Sequence, residues 1–408
     1  MNKDLIKEYA HLAIKMGLNV QKNQDVIINS SIETSEFCLL CVEEAYKAGA
    51  RKVTVNWGSQ ELGKMRSNYE SVETMSEFDG ISKAKLEYQL EKLPAMLHII
   101  SDDPDGLKGA NQAKLAQARA KLFPHQKPYI EKMDEKYQWC IIGYPSLKWA
   151  KKCFPNLSDD KALENLLEKI LLTARVDGNS INNWQKHNKL LKEKCELLNN
   201  LNIDYLHYKN DLGTDFKVWL MEDGLFLGGS EILQNTGVEY NPNMPTEECF
   251  TTPIKGKAEG RLYATLPLSY QGELIEDFYL DFKDGKVVGV FAKKNQELLE
   301  KMISMDEGAA YLGEVALVPF SSPVNQTKTL FYNTLYDENA VCHFAVGRGF
   351  INCVKDFTNY SLEELTAKGV NQSMIHVDFM VGSKDLEIVA HTRDNAHVIV
   401  FKNGEWAI

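Results

Sequence analysis

No stretch of this 408-residue chain approaches the roughly 20 consecutive apolar residues that a membrane-spanning helix requires. The opening MNKDLIKEYAHLAIKMGLNV alternates charge with short apolar steps, a helical pattern without the continuous apolar core of a secretory signal. Positive charge is in deficit. Lys and Arg number 46 against 57 Asp and Glu, and the net charge of -11 disfavours non-specific attachment to nucleic acid or anionic membrane. There is no GxGxxG after a strand-like segment and no GxxxxGK[ST], so a nucleotide site would rest on fold analogy alone. Tandem repeats and low-complexity linkers are absent as well. The eight cysteines are scattered; Cys38 and Cys41 make one CxxC, inside the helical pattern ETSEFCLLCVEEAYKAG, and no second pair follows at zinc-finger spacing. Core cysteines in a reducing compartment are the favoured reading, and a redox pair would need a strand running directly into the start of the CxxC helix. These absences lead us to expect a cytoplasmic protein with neither a membrane nor a nucleic-acid partner.

What is present has ordinary soluble composition, 44% apolar and 25% charged, which places the chain outside the disordered class. Its length allows two or three domains. The first half alternates strand-like runs, DVIINS (25–30), KVTVNW (52–57), MLHII (96–100) and YQWCIIGYP (137–145), with helical segments such as ANQAKLAQARAKLF and residues 157–175. That alternation predicts an α/β domain with a mostly parallel sheet covered by helices. From about residue 203 strand-like segments are joined by turns: LHYKN, FKVWL, RLYATLP and EDFYLDFKDGKVVGVFAK. The DG of FKDGKVV and the NG of FKNGEWAI are hairpin signals. A boundary falls between 180 and 250, and we divide the chain into an N-terminal α/β domain, 1–235, and a mixed α+β domain, 236–408, bearing the chemistry.

Metal-ligating residue types accumulate after residue 245: Glu247 and Glu248 in NMPTEECFTTP, Glu314 in YLGEVALVPF, Glu338 and His343 in YDENAVCHFAVG, and His376 and Asp378 in MIHVDFMVG. His376 and Asp378 are two apart in a strand-like run, so period-two geometry puts both on one face, with Ile375, Val377 and Phe379 on the other. A carboxylate in so apolar a strand is costly unless paired or bound to metal. A buried His–Asp hydrogen bond is the alternative. Glu338 and His343 reach one site only if ENAVCH turns once. Glu314 can equally face solvent, and Glu247 and Glu248 are ambiguous beside a helix start capped by Thr246. Taken together, four carboxylates and two imidazoles form a plausible set for two ions of the Zn, Co or Mn type. Two ions about 3.5–4 Å apart would activate a shared water and polarise a scissile carbonyl. The residue types do not separate peptide hydrolysis from hydrolysis of another amide or a phosphate ester.

At these motifs the sequence resembles the aminopeptidase T and S family of bacterial metallopeptidases. The likeness runs through DVIINSSIETSEF, GTDFKVWL, NMPTEECFTTP, GRLYATLPLSYQGELIEDFYLDFKDGKVV, YLGEVALVPF, LYDENAVCHFAVG, NQSMIHVDFMVGS and KNGEWAI, nearly the whole chain. It implies a two-domain homodimer whose sites face an enclosed cavity, acting on short peptides with a free N-terminus. By resemblance the metal ligands are Glu248, Glu314, Glu338, His343, His376 and Asp378. Glu314 would bridge the ions, and Glu248 would stand near the reactive water; these two are the catalytic candidates. The implied activity is a broad-specificity metalloaminopeptidase. The alternatives are a catalytically impaired family member and another two-metal amidohydrolase. One departure bears on this choice: the family's catalytic-site tyrosine corresponds to Phe350 in GRGFINC, which cannot donate to a tetrahedral oxyanion, and a lost donor of that kind costs a few kcal/mol. Arg348 is a candidate substitute donor, although a structural or surface role suits it better. Other conspicuous residues have plainer explanations. His391 and His397 in VAHTRDNAHVIV suit a pocket rim or strand packing better than metal ligation, and Phe216, Trp219 and EDFYLDF suit core better than a substrate-stacking platform. Gly260, Arg261, Tyr270 and Gly272 suit turns.

Overall fold

The short apolar runs of the first half pair side by side. In a computed structural model describing residues 2–408, the strands Lys52–Gly58, Asp25–Ser31, Ala95–Ile100, Trp139–Gly143 and Asn243–Met244 stand in that order in one sheet, and every pair is parallel. Parallel neighbours cannot be joined by a tight turn, so the chain returns through helices. Ser35–Lys47 follows the first strand, Gln60–Tyr69 and Gly80–Lys92 the second, and Gln112–Met133 the third. Val26, Ile27 and Ile28 are buried in succession, as a strand covered on both faces must be. Cys38 and Cys41 are buried, unbridged thiols within helix Ser35–Lys47. Burial pushes both thiols upward, away from the thiolate that redox exchange needs.

The second half is antiparallel. A nine-stranded sheet runs Leu268–Tyr270, Glu273–Lys283, Pro253–Tyr263, Asp215–Leu220, Ile203–Lys209, Glu387–Thr392, His397–Lys402 and Glu405–Trp406, with Lys286–Lys294 also paired to Glu273–Lys283. Both turn signals form two-residue hairpins. Asp284 and Gly285 have φ of 51° and 73°, and Asn403 and Gly404 have 53° and 74°, the doubly positive pattern that matches strand twist. A separate four-stranded antiparallel sheet contains Cys249–Thr251, Leu312–Leu317, His343–Gly347 and His376–Met380 in that order. Aromatic rings join the two sheets: Phe344 lies 5.0 Å from Tyr208 and 5.4 Å from Phe216, and Phe278 lies 6.1 Å from Phe379.

The fold is thus a parallel α/β part followed by a mixed α+β part. By compactness, one unit runs to Gln185 and adds Ser230–Pro245, and the other comprises Lys186–Gly229 and Thr246–Ile408. Strand pairing explains the interleaving. Ile203–Lys209 and Asp215–Leu220 are inner strands of the nine-stranded sheet, while Asn243–Met244 extends the parallel one. A division by position at 235/236 and this division by compactness therefore assign those segments differently. No helix among the described residues is long and apolar enough to cross a membrane.

Candidate metal centre

The site is built on one face of the four-stranded sheet, and strand register brings its parts together. Glu314 pairs with Ala345, and Ala345 pairs with Asp378, so two carboxylates flank one methyl group across three strands. His343 and His376 are each two residues from a member of this row and share its face. The alternate residues Val315, Phe344 and Phe379 are buried in the hydrophobic core on the opposite face. Gly347, opposite His376, has φ 106°, and a Cβ there would come within 2.1 Å of the Ile375 carbonyl oxygen. Only glycine lets the strands approach so closely at the ligand.

Two groups of side chains converge tightly enough to hold an ion: Glu248, Glu314 and His343, and Glu314, His376 and Asp378. Within each group the ligand atoms lie within 4.8 Å of one another, and Glu314 belongs to both. His376 Nε2 stands 3.0 Å from Glu314 Oε2 and 3.4 Å from Asp378 Oδ1, and His343 Nε2 stands 3.2 Å from Glu248 Oε2. The other ring nitrogens face carbonyls. His376 Nδ1 lies 2.7 Å from the Arg348 carbonyl oxygen and His343 Nδ1 lies 3.3 Å from that of Val341. Donation from Nδ1 leaves each Nε2 lone pair aimed into the site, the arrangement by which metal-binding imidazoles are oriented.

The electrostatics fit a cationic occupant. Burial raises the Glu314 carboxyl to about 7; the His376 hydrogen bond opposes this, and the Asp378 and Glu248 charges add to it. Burial also lifts Glu338 well above the carboxylate range, reinforced by Asp378, Glu248 and Glu314. For His343, burial acts downward but Glu248 outweighs it, and the imidazole rises to about 9. His376 rises in the same way, driven by Asp378 and Glu314. Burial acts upward on Asp378, yet the His376 charge holds its carboxyl low. Four carboxylates facing two imidazoles leave negative charge without a protein partner. Moreover, Glu248 Oε2 and Asp378 Oδ1 are buried and accept no aligned hydrogen bond. Buried acceptors of this kind call for a ligand, and the donor set of carboxylate oxygen and imidazole nitrogen suits two divalent ions.

Five of the six expected ligands fall in the two groups. Glu338 does not; it opens the short 3₁₀ turn Glu338–Ala340 beside them, half-buried, its Oε1 3.4 Å from Asn339 Nδ2. Glu247, adjacent to Glu248, turns away, with Oε2 3.8 Å from His187 Nε2. Arg348 has an exposed side chain, and its backbone carbonyl, not its guanidinium, serves the site. Phe350 packs 4.8 Å from the His376 ring and 5.3 Å from Phe250, and its amide donates to Thr252 Oγ1 at 2.7 Å. Sequence reasoning missed two residues. Ala345 left one faint mark, a small residue within the bulky run HFAV. Asn339 is fully buried; its Oδ1 accepts from the Glu247 amide at 2.7 Å and its Nδ2 donates to the Leu335 carbonyl at 2.9 Å, tying the Glu248 segment to the Glu338 turn. No local pattern signals that.

Comparison with known proteins agrees with this geometry. The family profile described as thermophilic metalloprotease (M29) matches residues 2–406. Aminopeptidase AmpS of Bacillus subtilis (strain 168) is 38% identical over 406 residues, 98% of each chain. Aminopeptidase 2 of Geobacillus stearothermophilus is 37% identical over 98% of this chain and 97% of its own. The solved structure of wild-type AmpT from Thermus thermophilus superposes with a TM-score of 0.91 at 33% identity, covering both chains completely.

Proposed function

The chain belongs to the thermophilic metalloprotease (M29) family, and from that membership we propose that it is a metal-dependent aminopeptidase releasing the N-terminal residue of short peptides with broad specificity. The observation that carries the reading is the pair of ligand groups sharing Glu314 on one sheet face, in a chain that matches named aminopeptidases along nearly its full length. Glu248, Glu314, His343, His376 and Asp378, with Glu338 on the turn beside them, would hold two divalent ions of the Zn, Co or Mn type, Glu314 being the residue shared by both ligand groups. When bound, such ions supply Lewis acidity toward a carbonyl and lower the pKa of water. Glu248, which faces His343, would support proton transfer from the attacking water to the leaving amine. Glu314 and Asp378 set the charge of the site, and the free peptide amine finds its counter-charge among these carboxylates. The Arg348 carbonyl keeps His376 in the tautomer that faces the site. A homodimer acting in the cytoplasm, without a nucleic-acid or membrane partner, completes the reading.

A second reading, a family member with impaired turnover, is favoured by one feature. The Phe350 ring packs beside His376 without a hydroxyl to donate. One experiment separates the readings. Protein stripped with chelator and restored with Zn, Co or Mn is analysed for bound metal and for release of the first residue from free-amine and N-acetylated peptides. Metal-dependent release from free-amine peptides alone is expected, and Glu314→Gln is expected to lose bound metal and turnover while remaining folded. Full metal loading with no release would favour the impaired reading. Cleavage of acetylated peptides would favour another amidohydrolase. Failure to load any metal would overturn the ligand set.

A further inference from the structure

We propose that the outer face of the nine-stranded sheet carries a second, exposed site for a divalent transition-metal ion, held by the cross-strand pair His391 and His397 with His207 and Asp215 beside them. None of these residues belongs to the buried centre, and the inference does not depend on the aminopeptidase reading. Sequence alone favoured a pocket rim or strand packing over metal ligation for His391 and His397. The fold changes that by adding a strand from nearly 200 residues away.

His391 and His397 stand directly opposite one another on antiparallel strands, with ring centroids 4.2 Å apart. Strand Ile203–Lys209 pairs on the other side of His391 and brings the His207 ring to 6.3 Å. Three of the nine histidines in the chain thus converge on one small patch. Alternation fixes their direction. Leu206, Tyr208, Ala390 and Val400 point into the core, so the imidazoles between them point out, His397 exposed and the other two half-buried. Tyr205 stacks on His391 at 4.2 Å with 10° between planes, which restrains that ring. His207 Nε2 lies 2.6 Å from Asp215 Oδ1, the carboxylate–imidazole pairing that orients metal-binding histidines, and this leaves Nδ1 as the ligand atom.

Packing alone does not account for the patch, because rings serving only as packing have no need to be exposed or to be imidazoles. Two ammonium groups oppose a cation here: Lys217, which sits 5.7 Å over the Tyr205 ring, and Lys209, which lies 3.5 Å from Asp215 Oδ2. Burial, then the neighbouring His397, His207 and Lys217, holds the His391 imidazole below its ordinary value. Two imidazoles form the nucleus of the site and His207 an outer ligand, since the three do not close into a tight triad. Imidazole donors favour Ni(II), Cu(II) and Zn(II) over hard cations.

The test uses the full untagged chain, with its buried centre loaded, on an immobilised Ni(II)-chelate column, which only exposed histidines can reach. Wild type is expected to be retained and to elute with imidazole. The double variant His391→Gln/His397→Gln is expected in the flow-through, and His207→Gln should elute earlier than wild type. His11→Gln/His125→Gln, which removes exposed histidines elsewhere, should be retained like wild type. The single variant His397→Gln changes an exposed residue and guards against misfolding as an explanation; circular dichroism and peptide-release activity check the double variant. Flow-through of wild type, or retention of His397→Gln equal to wild type, would overturn the site.

Discussion

Ala345 stands between two carboxylates, and its methyl group decides how much space the row leaves. Glu314 on one side and Asp378 on the other belong to the same ligand group, so a larger side chain in the middle must push at least one aside. Ala345→Leu is expected to cost about 1–3 kcal/mol through overpacking and to lose at least one bound ion per chain, whereas Ala345→Gly keeps both; metal analysis beside a thermal melt reads the two effects. Legibility at this scale was uneven. His376 and Asp378 could be placed on one face from their spacing alone. Glu247 and Glu248 could not be told apart, because adjacent residues diverge according to partners elsewhere: Glu247 toward His187, Glu248 toward His343. Glu314 and His343 were recognisable as residue types, but their meeting depends on a ladder that no local pattern encodes.

Among the elements, those made by local sequence were readable and those made by distant pairing were not. The strands at 25–30, 52–57 and 96–100 and both hairpin turns follow from short apolar runs and from DG and NG. The assignment of Ile203–Lys209 to a sheet with Glu387–Thr392 follows from nothing nearby. One ionic contact ties three elements of the first unit. Asp25 opens a strand, Arg51 precedes the next, and Tyr88 lies on helix Gly80–Lys92; both of the latter donate to Asp25 Oδ2. Burial acts upward on the Asp25 carboxyl, but these hydrogen bonds prevail and hold it below its ordinary value. The folded chain therefore binds this proton more weakly than the unfolded one. Its stabilisation is fully present above about pH 4 and fades as pH falls through the folded value. Asp25→Asn is expected to cost about 1–3 kcal/mol at neutral pH, and denaturant unfolding below pH 4 should show the difference from wild type shrinking.

For the molecule as a whole, the family assignment rests on length. The family profile matches residues 2–406, almost the whole of the chain. The net charge of -11 includes the acids of the buried centre, which cations offset when bound. Ion binding to the folded chain alone adds about 2.7 kcal/mol when free ion exceeds its Kd a hundredfold. Chelator treatment is accordingly expected to lower the melting temperature and reloading to restore it. The near-ultraviolet circular dichroism of the stripped protein should remain native, because the aromatic core persists; its loss would show that the ions organise that core. The reason lies in the alternation along His343–Gly347 and residues 376–379, where every second side chain is a ligand, a spacer or a site glycine and every other one is core. A slip by one residue in this ladder would drive imidazole and carboxylate into a greasy interior and strand phenylalanine among acids. Each face thus proofreads the other, and the chain carries its reading frame for the catalytic sheet before any ion arrives.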